Sequence, residues 1–240
     1  MTSVASTASG VLPDTALEAM IETGQIFGQP AIDPAQIQPA SLDLRLGTVA
    51  YRVRASFLAG GGATVAERID EFEMHRMDLS GGAVLEKGCV YVVPLMEGLS
   101  LPEDVTAVAN AKSSTGRVDC LTRVITDGGT EFDRIPAGYT GPLYAEICPR
   151  SFSVLVEPGL RLNQIRFRRG QAVLSDEALR RRHAETALVD GTPVISDGLG
   201  FSVDLTGGLV GYRAKPHAGV INLSAIGRHD PAAFWEQVRT

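Results

Sequence analysis

The chain has 240 residues, 44% of them hydrophobic and 21% charged, with a net charge of −6 and a pI of about 5.3. This composition is typical of a soluble globular protein, and the acidic balance argues against general electrostatic binding to DNA or RNA. No run approaches the 18 apolar residues of a membrane-spanning helix. We therefore expect neither a nucleic-acid nor a membrane partner.

The N-terminal sequence, MTSVASTASG, lacks the basic and apolar regions of a secretory signal, and we predict a disordered tail over residues 1–10. The three cysteines, Cys89, Cys120 and Cys148, are odd in number and widely spaced. A disulfide framework and a structural zinc site are therefore not expected. A reducing cytoplasm is the predicted compartment.

Short elements follow the tail. Pro13-Asp14 opens a predicted helix with Leu17 and Met20 on one face, and Gly24 ends it. The chain then breaks into short apolar or alternating runs, which are SLDLRLG, CVYVVPL, VTAVANA, LYAEICP, SFSVLVE and LNQIRF. The glycine run 60–62 is interpreted as a hairpin tip. Many short strands with frequent turn signals predict a mainly β fold, a barrel or sandwich with a few short helices.

The sequence DEALRRRHAETALV predicts a helical connector over residues 176–190. This connector separates a first domain, residues 11–175, from a C-terminal part, residues 191–240. The sequence SVDL at 202–205 repeats the pattern of SLDL at 41–44. We therefore predict that the C-terminal part begins a second, related unit and is truncated.

Residues 111–117, AKSSTGR, bring hydroxyl and basic groups together after a predicted strand. A nucleotide-binding P-loop needs glycine where this chain has Ala111 and Thr106, so any phosphate binding here uses side chains. The segment His183-Ala184-Glu185 matches one half of the zinc deaminase signature, but the cysteine half is missing. We therefore expect no catalytic zinc.

Glu146 is the carboxylate that stands out, because it lies in the largely apolar run LYAEICP. Alternation along a strand places it on the same face as Tyr144 and Cys148. A carboxylate in such a place is a candidate general acid–base. The alternative is a structural salt bridge from Glu146 to Arg117 or Arg134.

Four segments occur in the order and at about the distances found in the dCTP deaminase family of the dUTPase-like superfamily: QPASLDLRLG (38–47), AKSSTGR (111–117), DRIPAGYTGPLYAE (133–146) and PGLRLNQIRF (158–167). The resemblance covers roughly residues 10–170, and the chain most resembles the long bacterial form, in which two such units are fused. It implies a dUTPase-like (β-clip) fold and hydrolytic deamination of dCTP to dUTP and ammonia.

The resemblance also implies roles for individual residues. Glu146 would be the acid–base, Ser113 would hold the water or the amino group, and Arg117 would orient Glu146 and stabilise developing charge. The substrate would be bound by Lys112, Ser114, Arg134, Gln164, Tyr212 and Lys215. For Tyr212 and Lys215, in GYRAKPHAG (211–219), the alternative is a surface loop of the second unit. Mg²⁺ would bind through the substrate triphosphate without a protein metal site, and the active site would lie between subunits of a homo-oligomer, trimeric or its tandem-repeat equivalent.

The chain departs from the family pattern at three places. The basic residue that opens AKSSTGR is usually arginine and is Lys112 here, and Pro136 replaces an aspartate that activates water in dUTPases. Arg134 follows Arg117 by 17 positions (134 minus 117), so the intervening segment VDCLTRVITDGGTEF is interpreted as a longer loop beside the site. The alternatives are a bifunctional deaminase–diphosphatase, a dUTPase, or a non-catalytic nucleotide-binding or scaffold unit.

Overall fold

The computed structural model describes residues 9–239. The predicted tail therefore lies almost entirely outside the described residues. The α-helices are α1 (Asp14–Glu22), α2 (Val65–Phe72), α3 (Ser113–Arg117), α4 (Asp176–Glu185) and α5 (Pro231–Phe234), and a 3-10 helix covers Pro34–Gln36.

Short strands make up most of the regular structure. They are β1 (Gly10–Val11), β2 (Ile26–Gly28), β3 (Ile37–Gln38), β4 (Ser41–Arg45), β5 (Val49–Val53), β6 (Glu73–Asp78), β7 (Ala83–Leu85), β8 (Val90–Ser100), β9 (Val105–Ala111), β10 (Cys120–Thr126), β11 (Arg134–Ile135), β12 (Thr140–Pro149), β13 (Val154–Val156), β14 (Arg161–Arg169), β15 (Val194–Ile195), β16 (Leu199–Gly200), β17 (Leu209–Ala214), β18 (Ile221–Asn222) and β19 (Trp235–Arg239). The mainly β prediction is confirmed, as are α1 and the six quoted strand runs.

Two six-stranded sheets and the antiparallel pair β7–β13 form the first domain. One has the order β11-β9-β14-β4-β3, with β1 paired to β14, and the other has the order β10-β12-β8-β5-β6, with β2 paired to β8. Both sheets contribute to one buried apolar cluster, which contains Leu42 and Leu44 of β4 and Ala145 and Ile147 of β12. Since side chains alternate along a strand, the residues between Ala145 and Ile147 and on either side of them face away from this cluster.

A second apolar cluster covers that outer face of the β10–β12 sheet. Tyr144 and Ile125 of the sheet pack there with Val65 and Ile69 of α2. The helix begins with a capping box between Thr64 and Glu67, in which each side chain bonds the other residue's backbone N–H. The glycine run 60–62 therefore leads into a helix, and the hairpin-tip interpretation is wrong.

The C-terminal part packs on the first domain around β13 and Phe152. β18 pairs with β13 in parallel, and the Phe152 ring lies 5.6 Å from Phe234 and 4.9 Å from Trp235, in edge-on contacts. The SVDL segment, residues 202–205, is exposed and outside any strand, whereas every residue of β4 is buried. That this part begins a second related unit stays a prediction.

Between residues 9 and 239, no helix has the length and apolar character needed to cross a membrane. In the same part of the chain, no group of three or more histidine, cysteine, aspartate or glutamate side chains could hold a metal ion.

Candidate active site

Glu146 lies at the centre of the candidate site. It is 2% exposed, and the strand register places it directly opposite Arg123 of β10. Both Nε and Nη2 of Arg123 donate to the same carboxylate oxygen, Oε1, and the Nε bond is 3.2 Å long. The other oxygen, Oε2, is buried and has no hydrogen-bond partner among the described residues. Arg123 thus holds one oxygen of this carboxylate, while no described residue uses the hydrogen-bonding capacity of the other.

The surroundings of Glu146 are apolar on one side and charged on the other. Tyr144 shares its face, as predicted, and packs in the cluster under α2. Burial raises the pKa of the Tyr144 hydroxyl, and Asp127 and Tyr51 raise it further. Tyr144 is therefore a neutral hydroxyl at working pH. The apolar cover separates this side of the carboxylate from solvent.

Asp133 adds a second carboxyl group to this region. Its Oδ1 accepts the N–H of Val124 at 2.8 Å, and its own N–H donates to the Val124 carbonyl at 2.8 Å. Burial raises the pKa of Asp133; the Val124 bond and Arg123 lower it, and Glu146 raises it. Asp133 has a positive φ of 62°, which aspartate tolerates better than most residues. Asp133 was not among the predicted site residues.

The α3 helix presents the predicted hydroxyl and guanidinium groups. It is pinned by Thr115, whose buried hydroxyl donates to the Leu162 carbonyl at 3.0 Å. Ser113, Ser114 and Arg117 are all exposed. Their side chains make no hydrogen bond or ion pair within residues 9–239. The structure thus holds the backbone of this turn and leaves its polar side chains available.

Lys112 caps the same turn, but its charge is already engaged. Its Nζ donates to Asp43 Oδ2, and the Asp43 side chain is only 4% exposed. Gln164 lies directly opposite Asp43 in the β14–β4 register and accepts a 3.4 Å hydrogen bond from Ser41. The structure therefore brings Lys112 and Gln164 together with α3 through Asp43.

The other predicted substrate-binding residues lie apart from this group. Arg134 is exposed and ion-paired to Glu131 at 2.9 Å, and it lines a cavity of about 300 Å³ together with Thr106 and Arg168. Tyr212 is exposed on β17. Lys215 donates to the Ala232 carbonyl of α5.

Two expectations about this region are wrong. The guanidinium that pairs with Glu146 belongs to Arg123, not to Arg117 or Arg134. The segment interpreted as a loop, residues 118–132, contains the seven-residue strand β10, and only residues 127–133 connect β10 to β11. Arg123 was missed because its strand was taken for loop. An arginine among the apolar residues of CLTRVIT is the signal that could have identified it.

Two family models together match nearly the whole chain. The model described as "2'-deoxycytidine 5'-triphosphate deaminase (DCD) N-terminal domain" matches residues 8–171, and the corresponding "C-terminal domain" model matches residues 175–240. Among curated proteins, the "dCTP deaminase" of Natronomonas pharaonis is 27% identical over 160 residues, which cover 65% of this chain and 79% of that protein. The "dCTP deaminase, dUMP-forming" of Dictyoglomus thermophilum is 27% identical over 159 residues, with the same coverage.

A crystal structure of 2'-deoxycytidine 5'-triphosphate deaminase from Agrobacterium tumefaciens is similar over almost all of this chain. It is 50% identical, with a TM-score of 0.92, and the match covers 97% of this chain and 71% of that one. The predicted mainly β fold class is confirmed, and the chain shares its fold with this deaminase.

Proposed function

We infer the function from the family to which this chain belongs, the 2'-deoxycytidine 5'-triphosphate deaminases. We propose that it catalyses the hydrolytic deamination of dCTP to dUTP and ammonia, as a hydrolase acting on the C–N bond of a cyclic amidine. The product dUTP places the reaction in pyrimidine deoxynucleotide biosynthesis.

One observation carries the proposal. Glu146 is buried, one of its oxygens is held by Arg123, and the other has no partner in the described part of the chain. A buried polar atom normally has a hydrogen-bond partner, so an orphaned carboxylate oxygen calls for an explanation. Such an oxygen can accept a hydrogen bond from a water molecule or from the amino group of the substrate. This supports Glu146 as the group that handles protons.

The chemistry needs one group that takes a proton and returns it. Glu146 Oε2 removes a proton from water as the water oxygen bonds to C4 of cytosine, and the carboxyl then returns the proton to N3. The remaining proton of the attacking oxygen then transfers to the amino group, the C4–N bond breaks as the C4–O bond becomes a carbonyl, and ammonia departs. Ser113 holds the water or the amino group, and Arg117 stabilises charge that develops near C4.

The triphosphate is bound mainly by side chains. Ser114, Lys112 and Arg134 are proposed to contact its oxygens, with Gln164, Tyr212 and Lys215 contributing further contacts to the substrate. The hydroxyl groups at α3 fit a phosphate chain better than they fit a bare metal ion. We therefore propose that Mg²⁺ binds through phosphate oxygens and water, which are the ligands it prefers. No zinc is part of this proposal.

The two groups of residues support a site shared between copies of the chain. Ser113, Ser114 and Arg117 point outward without partners, while Glu146 is enclosed by its own sheet and cover. We propose a homo-oligomer in which α3 of one copy faces Glu146 of another, as in a trimer. We further propose a cytoplasmic location, since Cys89, Cys120 and Cys148 are all free thiols.

A second candidate product is dUMP. The relative from Dictyoglomus thermophilum is described as dUMP-forming, so diphosphate release is the main competing activity. Pro136 favours dUTP as the final product here, because it follows β11 at the position where dUTPases have a water-activating aspartate. Pro136 offers no carboxylate at this position to activate water for attack on the α-phosphate.

The test is to incubate the protein with dCTP and Mg²⁺ and to separate the products by chromatography. The wild type is expected to release dUTP and ammonia in equal amounts. Glu146→Gln is expected to lower kcat by about 10³-fold, since general acid–base groups contribute about 10²–10⁴-fold. Arg52→Ala is the control, because Arg52 is an arginine of the same sheet whose ion-pair partner is Glu86 and not Glu146.

The outcomes separate the alternatives. Release of dUMP and pyrophosphate would establish the bifunctional activity. Equal rates for wild type and Glu146→Gln would remove Glu146 from the mechanism. Tight dCTP binding without turnover would mean that the chain is a nucleotide-binding or scaffold unit.

A further inference from the structure

The Arg123–Glu146 ion pair has an unusual geometry for a purely structural pair. An arginine can bind a carboxylate through two parallel bonds, one to each oxygen, and this fork is the strongest arrangement. In this chain both nitrogens of Arg123 donate to Oε1. The pair therefore occupies one oxygen fully and leaves Oε2 without a partner among residues 9–239.

Arg123 is itself held in place by two other segments. Its Nη2 donates to the Ser56 hydroxyl at 3.1 Å, and its guanidinium carbon lies 3.6 Å from the centre of the Phe132 ring. A guanidinium stacked on an aromatic face is favourable and keeps a fixed orientation. The arginine is thus clamped from two sides while it holds the carboxylate.

The two clamping segments also bind each other. The Gly60 N–H donates to the Gly129 carbonyl at 3.0 Å, and the Gly128 N–H donates to the Ala63 carbonyl at 2.9 Å. The N–H of Val65 donates to Asp127 Oδ1 at 2.7 Å. The β10–β11 connection and the segment before α2 therefore form one cover over Arg123.

We propose that Arg123 is the positioning residue for Glu146, and this rests on the proposed function. It fixes Oε1 so that Oε2 is the one oxygen presented to water and substrate, and Ser56 and Phe132 set the orientation of the arginine. The resemblance gives Arg117 two roles, which are orienting the acid–base and stabilising charge on the substrate. In this proposal Arg123 takes the first role, and Arg117 keeps the second.

The test compares Arg123→Ala and Arg123→Lys with the wild type, using dCTP turnover, dCTP binding and added guanidinium ion. Arg123→Ala is expected to lower kcat about 10²-fold, because a misplaced catalytic group costs about that much. The KM for dCTP should change by less than about threefold, because the lost interaction does not bind the substrate. Millimolar guanidinium should restore part of kcat in Arg123→Ala, and Arg123→Lys should remain impaired because lysine lacks the planar fork.

A second variant covers the case in which Arg123→Ala does not fold. Phe132→Leu keeps an apolar side chain but removes the aromatic face, and it is expected to lower kcat about tenfold with KM unchanged. Arg52→Ala is the matched control: Arg52 is another ion-paired arginine of this sheet, with 30% of its side chain exposed, compared with 28% for Arg123.

The results separate this inference from the proposed function. An inactive wild type would defeat the proposed function itself. An active wild type, an inactive Glu146→Gln and full kcat in both Arg123→Ala and Phe132→Leu would leave the function standing and overturn the role of Arg123. Loss of kcat in Arg123→Ala without any guanidinium rescue, together with full kcat in Phe132→Leu, would also overturn it, since the arginine would then act only on stability.

Discussion

The Glu146 region and the α3 turn differ in how far the chain itself completes them. Glu146 has its ion-pair partner on the neighbouring strand, a clamp around that partner and an apolar cover. The side chains of Ser113, Ser114 and Arg117 have no hydrogen-bond or ion-pair partner between residues 9 and 239. The Glu146 region is therefore buried and preorganised, whereas the α3 turn carries exposed polar groups.

This difference indicates a division of labour. A proton-handling carboxylate needs a fixed environment before the substrate arrives, because preorganised groups avoid reorganisation during the reaction. Groups that bind a highly charged triphosphate must be open to solvent until it arrives. The exposed state of α3 is what a ligand-binding segment requires, and a second copy of the chain would then bring the two regions together.

The largest expected effect tests whether the two regions act across copies. Arg117→Ala and Glu146→Gln are each expected to be at least about 10²-fold less active than wild type. Co-expression of the two variants should restore about a quarter of wild-type activity, because each half of a shared site is intact in about half of the copies. Chromatography of products from dCTP measures this recovery.

Two controls sharpen the result. Co-expression of wild type with Glu146→Gln fixes the activity expected from dilution alone. Co-expression of Arg117→Ala with the double variant Arg117→Ala/Glu146→Gln should give no recovery. If the two single variants also give none, the α3 turn and Glu146 must work within one chain, and no site is shared between copies.

Much of the Glu146 region could be predicted from the sequence, and its partner could not. Alternation in LYAEICP correctly placed Glu146 on the Tyr144 face, because that pattern is local. The pairing with Arg123 depends on the register between β10 and β12, which brings together residues that are 23 positions apart. A non-local register is not contained in either strand alone.

Two further features show the same limit. The Lys112–Asp43 pair joins residues 69 positions apart, so the sequence could identify the basic residue but not the carboxylate that engages it. The α2 helix, by contrast, had a local signal in the Thr64–Glu67 capping box that the glycine run beside it obscured. The sequence therefore carried signals for local structure, whereas the partners of long-range ion pairs could not be predicted from it.

An intermediate effect tests whether Lys112 belongs to the substrate-binding region or to the framework. Lys112→Met leaves the buried Asp43 carboxylate without its cation and is expected to lower the free energy of unfolding by about 2 kcal/mol. Adding Asp43→Asn should recover most of that loss in urea denaturation. The KM for dCTP should rise with Lys112→Met and should not recover with Asp43→Asn, because a phosphate contact depends on the lysine alone.

The effect of Lys112→Met on stability and its effect on the KM for dCTP can fail separately. Unchanged stability in Lys112→Met would mean that the ion pair contributes nothing to the fold. An unchanged KM would mean that Asp43 uses the whole charge and that Lys112 is not a phosphate ligand. Lys112→Arg should preserve both quantities, since arginine retains the positive charge and can donate to either partner.

The smallest expected effect concerns the charge near Glu146. Burial raises the pKa of Asp133 above its ordinary value of 3.8, so its contribution to stability is full below that pH and is lost as the pH rises through the folded-state value. Asp133→Asn keeps an oxygen acceptor for the Val124 N–H and tolerates the positive φ, but it is neutral at every pH. The stability of the variant relative to wild type should therefore increase between pH 4 and pH 7 in urea titrations followed by the fluorescence of Trp235.

A relative stability that stays constant over this range would mean that Asp133 ionises as easily in the folded chain as in the unfolded one. The Val124 hydrogen bond and Arg123, which lower the pKa of Asp133, would then fully offset the burial that raises it.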